Sequence, residues 1–223
     1  MVLAIRAIWA TWQDGTPLRF EGEFYRHTLM TPFFTPEPSP HGMARIFLAG
    51  VGPAMTGVAG EVADGFLVHP FSSVEFLREH TLPALERGLT ASGRSRSDIE
   101  ISFPVMVVTG VSEQDVAAAA ATTRAQLAFY GSTPAYRVVL DAHGWGELQP
   151  ELNRLSKAGK WDIMASLIDD TMLDTFAVCA APDEIAAKMT ARYGDLVDRI
   201  AFNAPYRSDP AAWTEALAGF RRS

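Results

Sequence analysis

The chain has 223 residues, 48% of them hydrophobic and 20% charged, with a formal charge of −7. That composition is that of a soluble globular protein with room for one large domain or two small ones. The acidic balance argues against nucleic-acid and anionic-membrane partners, and no apolar run reaches membrane-spanning length.

The first segment, Val2 to Trp12, sets Leu3, Ile5, Ile8, Trp9 and Trp12 at helical spacing. Arg6 interrupts its apolar run and no small-residue cleavage site follows, so no signal peptide is expected. The next stretch reads as a hairpin around Gly22, then an extended segment in which Pro32, Pro36, Pro38 and Pro40 forbid a long helix. From Arg45 the pattern becomes regular. "RIFLAGV" is a buried strand and "PAMTGVAGEVA" a helix with Pro53 at its first position. "DGFLVHP" is a second strand, followed by a long amphipathic helix capped by Ser72 or Ser73 and ended by Gly93. "DIEISFPVMVVTG" is a third strand, and Ser112 to Tyr130 a third helix that opens on the capping-box-like "SEQD". Residues 133–176 break the alternation with several short helices. "PDEIAAKMTARYG" resumes as a helix, "VDRIAFNAP" is a fourth strand, and Asp209 to Arg221 a closing helix. Cys179, the single cysteine, forms no internal disulfide; its apolar neighbours make it a core residue, and a reducing cytoplasm is the expected location.

Four strand–helix units with apolar strands mean an α/β protein with a parallel sheet, either doubly wound or a (β/α)₈ barrel. The dinucleotide fingerprint fails, because Gly50 and Gly52 are followed by Met55 where the third glycine belongs. No P-loop and no G-x-S-x-G elbow occur. His27, His41, His80 and His143 are scattered without paired carboxylates, so no metal site is expected.

Taken together, "AIRAIW", "FEGEFY", "IFLAGVGPAMTGVAGEVADGFLVHP", "LPALERG", "FYGSTPAY" and the "PDEIAAKM…DRIAF" ending resemble the C-terminal portion of luciferase-like oxidoreductases. Within that superfamily the branch that uses the deazaflavin coenzyme F(420), with FMN as the alternative, is the most similar. The resemblance implies a TIM-barrel-type (β/α)₈ fold with a helical insertion before the last strand. It also implies that the four strands are the fifth through eighth, so the segment carrying the first four, and most catalytic side chains with it, lies outside this sequence. The whole of residues 1–223 is expected to be one domain. The implied activity is hydride transfer between the coenzyme and a small organic substrate. The contrasting expectation is a catalytically incomplete half-barrel, a truncated reading frame or a binding module, that forms a homo-oligomer or pairs with a partner carrying the missing half.

The resemblance also assigns Gly50, Val51 and Gly52 to the coenzyme's phosphate-bearing tail. Loops after barrel strands form the active-site face, and free N–H groups at the following helix N-terminus favour an anion. The alternative reading is that the glycines only permit a tight turn. His69, at the end of a strand, either hydrogen-bonds cofactor or substrate or is satisfied by nearby backbone. Ser72 is an anion ligand or the helix cap, the cap being the commoner role. Tyr130, Ser132 and Tyr136 are candidate substrate-pocket residues, and Asn203 ends the last strand on the same rim. Tyrosines also pack with only the hydroxyl wet, and an asparagine there also serves as a turn residue.

Overall fold

The computed structural model describes residues 1–222. Helix α1 (Val2–Asp14) ends at Gly15, whose φ of +68° is the left-handed turn that glycine adopts without strain. A two-stranded antiparallel hairpin follows, β1 (Phe20–Glu21) and β2 (Arg26–His27), paired Phe20 to His27. The proline-rich stretch after it runs extended apart from one 3₁₀ turn at Pro32–Phe34. Phe24, Leu29, Phe33 and Phe34 stand exposed along it.

The parallel sheet is built from β3 (Phe47–Gly50), β4 (Gly65–Val68), β5 (Glu100–Val108), β6 (Ala177–Cys179) and β7 (Arg199–Asn203). The longest strand, β5, organises the rest. Its first third pairs with β4, its middle with β7 and its C-terminal end with β6. Among the described residues β3 and β7 each pair on one side only, so the sheet is open. The four-strand expectation therefore becomes five strands, and the helical insertion precedes β6 and not the last strand. Ala177–Cys179 escaped because a three-residue apolar run on the heels of a helix has no period of its own.

Helix α2 (Pro53–Val62) follows β3. After β4 comes one continuous helical rod in three parts: α3 (Val74–Phe76), a π turn over Leu77–Thr81, and α4 (Leu82–Ala91). The π turn has a local cause. Pro83 has no N–H for the carbonyl four residues back and its ring crowds that carbonyl, so the turn widens and Leu82 donates to Leu77 five residues back. Gly93, φ +70°, closes the rod as expected. The α2–α4 contact is backbone against backbone. A Cβ on Gly60 would lie 2.3 Å from the Leu85 carbonyl, and one on Gly88 2.0 Å from the Gly57 carbonyl.

Helix α5 (Glu113–Gly131) starts with the reciprocal Ser112–Asp115 capping box that "SEQD" announced. The insertion then folds as α6 (Arg137–Asp141), α7 (Leu148–Lys157), α8 (Trp161–Ser166) and α9 (Asp170–Phe176), the last capped by Asp169. Helices α10 (Ile185–Tyr193) and α11 (Pro210–Arg222) follow β6 and β7.

Strand alternation splits the buried residues into two clusters. Phe66, Ile101, Phe103 and Val105 face α2, α4, α10 and α11 and meet Leu85, Leu89 and Tyr193 there. Met106 and Val108 belong to the second cluster, with Phe71, Leu127, Leu140, Leu152 and Phe176, which ties the insertion to the C-terminal end of the sheet. Between them Leu67, on the sheet face away from the helices, is 42% exposed. At the N-terminal ends of the strands Glu100 receives Arg45 at 2.6 Å and Arg199 at 2.8 Å. No helix among the described residues is long and apolar enough to cross a membrane.

Candidate active-site rim

All five parallel strands end on one side, and register fixes how their loops line up. Gly50 pairs with Val68, Val108 with Cys179, and Met106 with Asn203. The loops carrying Gly50–Gly52, His69–Ser73 and Thr109, and the strand end at Asn203, therefore share one rim, the edge at which α/β barrels place their sites.

The first loop presents backbone. Gly52 is the N-cap of α2 in extended conformation, φ −80° and ψ 157°. Its carbonyl accepts from the Thr56 N–H at 3.2 Å and the Thr56 hydroxyl at 3.0 Å. Pro53 has no N–H, so the amides that α2 cannot satisfy internally begin at Ala54 and Met55. The two glycines differ. A Cβ on Gly50 would lie 2.9 Å from the Met55 Cβ, whereas one on Gly52 meets nothing within 4 Å. Gly50 serves the packing of the turn and Gly52 borders open space. Val51 lines a cavity of about 670 Å³, together with Pro53, Thr56, Phe76, His80 and Val138. Arg87 and Asp141 add charge to its wall.

The second loop presents side chains. His69 Nδ1 accepts the Phe71 N–H at 3.1 Å. Its ring packs against Tyr130, edge-on at 4.8 Å between centroids, and Tyr136, tilted at 4.6 Å. Phe71 stacks on Phe176 at 4.7 Å beneath. Burial holds the His69 imidazole below its ordinary pKa. The helix cap belongs to Ser73, which accepts the Phe76 N–H at 3.0 Å. Of the two serines expected as the cap, Ser73 takes the role and Ser72 does not. The Ser72 hydroxyl, in a side chain only 3% exposed, has no hydrogen-bond partner among the described residues.

The insertion brings further groups to this loop. His143 Nε2 shares a 2.8 Å hydrogen bond with Ser73 Oγ, and its ring stacks on Trp145. Burial lowers its pKa, while the carboxylates of Glu75 and Glu79 oppose that shift. Tyr130 and Tyr136 meet His69 as described. Ser132 does other work: its hydroxyl donates to the Phe129 carbonyl, and its own carbonyl accepts from Gln149 and Asn153 of α7. Asn203 ends β7 half-exposed, with no side-chain hydrogen bond among the described residues. Burial and then the Asp174 carboxylate push the Cys179 thiol up to about 12, so the thiolate is disfavoured.

Three rim residues went unnoticed in the sequence. The Thr109 hydroxyl, at the end of β5, is buried without a partner. Tyr206 receives the Thr109 N–H at 3.1 Å and donates to the Val107 carbonyl at 2.9 Å, pinning the loop after β7 to β5. His143 reaches the rim from seventy residues away. For Tyr206 a signal existed, an aromatic hydroxyl just past a strand end; for His143 there was none.

Residues 1–199 match the luciferase-like monooxygenase family. An uncharacterized protein of Mycobacterium tuberculosis, Rv1360, is 58% identical over 199 residues, covering 89% of this chain and 58% of that protein. The 5,10-methylenetetrahydromethanopterin reductase of Archaeoglobus fulgidus is 26% identical over 182 residues, 79% of this chain and 51% of its own. Among solved structures, the coenzyme F(420)-dependent tetrahydromethanopterin reductase of Methanopyrus kandleri superposes with a TM-score of 0.75 at 21% identity. The match covers 98% of this chain and 60% of that one. The chain thus spans between half and three fifths of the length of these relatives. With a family match over most of its length, and an open parallel sheet that superposes on part of a longer relative, the chain belongs to the luciferase-like monooxygenase family.

Proposed function

We propose that this chain contributes the coenzyme-tail and substrate side of a luciferase-like oxidoreductase that uses the deazaflavin coenzyme F(420). The single observation that carries the reading is the first rim loop, where the α2 amides open beside Gly52 and no protein atom fills the space its missing side chain leaves. That cradle fits a phosphate-bearing tail by its dipole and by its free donors. The coenzyme F(420)-dependent reductase among the structural relatives supports deazaflavin over flavin. Gly50, Val51 and Gly52 would hold the tail, with the unpaired Ser72 hydroxyl on the neighbouring loop, while His69, packed between Tyr130 and Tyr136, would face the substrate. Tyr130, Tyr136 and Asn203 would line the substrate side, with Ser132 behind them as a support of the tyrosine segment. When bound, the coenzyme supplies hydride transfer to or from a small organic substrate; the protein supplies position and exclusion of water.

Fluorescence titration of the full chain with coenzyme F(420) and, separately, with FMN tests this. Binding of coenzyme F(420) with weaker FMN binding is expected. Tighter FMN binding overturns the cofactor and favours a flavin monooxygenase. A second reading rests on the open sheet. Strands β3 and β7 with unpaired edges, and Leu67 uncovered between them, suit association with a second copy or with a chain supplying further barrel strands. Light scattering after size exclusion checks it, and a monodisperse monomer at all concentrations would count against the second-copy form.

A further inference from the structure

The His69 ring has its tautomer chosen for it. Nδ1 accepts the Phe71 N–H, so a neutral ring must carry its proton on Nε2. A second proton on Nδ1 would set N–H against N–H and cost that bond. Nε2 has no partner among the described residues, so it is a spare, oriented donor. The walls around it are phenol rings, Tyr130 and Tyr136, with Phe71 behind. The cations on the elements that carry those tyrosines are already spent. Arg137, next to Tyr136, is bound to Asp141 and Glu147. Arg124, on the same helix as Tyr130, is bound to Asp170 and to the Ile168 carbonyl. A phosphoryl group placed against this ring would lose water and gain no guanidinium from either of those elements in return.

We propose that His69, held between Tyr130 and Tyr136, is a fixed N–H donor that selects an uncharged alcohol or carbonyl substrate and rejects a phosphorylated one. This rests on the reading above, in which the same rim is the redox site. The oxygen of such a substrate accepts from Nε2, and its hydrocarbon part lies against the tyrosine faces.

The test uses the full chain and two probes of matched shape, benzyl alcohol and benzyl phosphate, with dissociation constants from ligand-observed NMR. Nitrogen-15 spectra of histidine-labelled protein report the tautomer. Benzyl alcohol is expected to bind about tenfold more tightly than benzyl phosphate, and His69→Phe, which keeps the ring packing, to weaken it about tenfold. His69→Gln, which keeps an N–H donor, should recover most of the loss. A charged or Nδ1-protonated ring, equal or tighter binding of the phosphate, indifference to His69→Phe, or no binding of either probe each overturns the proposal. Failure of the coenzyme titration alone sinks the cofactor reading and leaves the probe selectivity standing.

Discussion

Two loops sit side by side on the rim and are built on opposite plans. The Gly50–Gly52 loop works through what it lacks: no side chain at Gly52, no N–H at Pro53, and amides left over at the start of α2. The His69–Ser73 loop works through what it carries: an imidazole with an assigned tautomer, a capping hydroxyl, and one hydroxyl with no partner. The first closes its own turn within a few residues, from Gly50 to Thr56. The second is assembled across as many as 70 residues of chain, because Tyr130, Tyr136 and His143 reach it from α5 and the insertion. Backbone sites are cheap to write and hard to tune, whereas side-chain sites are the reverse. On the function proposed above, the second loop is where substrate choice has room to change.

That contrast can be broken experimentally. The largest effect belongs to Gly52→Trp, whose Cβ meets no protein atom within 4 Å and whose ring extends into the space proposed for the coenzyme tail. Coenzyme affinity should fall about a hundredfold, equivalent to roughly 2.7 kcal/mol, at an unchanged melting temperature. Unchanged affinity would remove the tail site. At Gly50 the signs swap. Gly50→Val drives a side chain into Met55 and should cost about 1–3 kcal/mol of stability, read from denaturant unfolding. In the second loop, Ser73→Ala removes the cap and should cost about 1 kcal/mol. Ser72→Ala deletes a buried unpaired hydroxyl and should leave the free protein unchanged or more stable by up to about 1 kcal/mol. Equal losses at the two serines would contradict the assignment of the cap.

The smallest effect is on pH. His69 and His143 both have pKa values lowered by burial from the ordinary 6.5, so the unfolded chain binds protons more readily than the folded one as pH falls. Stability should therefore be complete above that value and decline below it. His69→Gln should flatten the slope that opens as pH falls below about 6.5. A flat profile in the unsubstituted protein would mean that neither ring is held neutral by its surroundings.

Most of the fold was legible because strand and helix signals here are local. The capping box at Ser112, the left-handed Gly93 and the proline opening of α2 each act over three or four residues. What stayed hidden acts at longer range or over shorter runs. β6 is three residues long and is a strand only because β5 offers it an edge. The π turn is written in Pro83, yet its register shows only when the carbonyls are placed. The rim residues at strand ends, Gly50–Gly52, His69 and Asn203, could be named from position. Ser132 was named from its neighbours and turned out to brace α5 against α7. His143 met Ser73 through tertiary packing that no spacing encodes.

The bare seam between α2 and α4 reaches further than its own contact. Gly60 and Gly88 let two helices touch main chain to main chain, so the angle of α2, and with it the aim of its leading amides, is set by a joint further down the helix. A single methyl added at that joint would tilt the barrel of the gun while leaving its muzzle intact. Defects in coenzyme capture should thus be inherited from positions a turn or more down the helix, where an inspection confined to the pocket would never look.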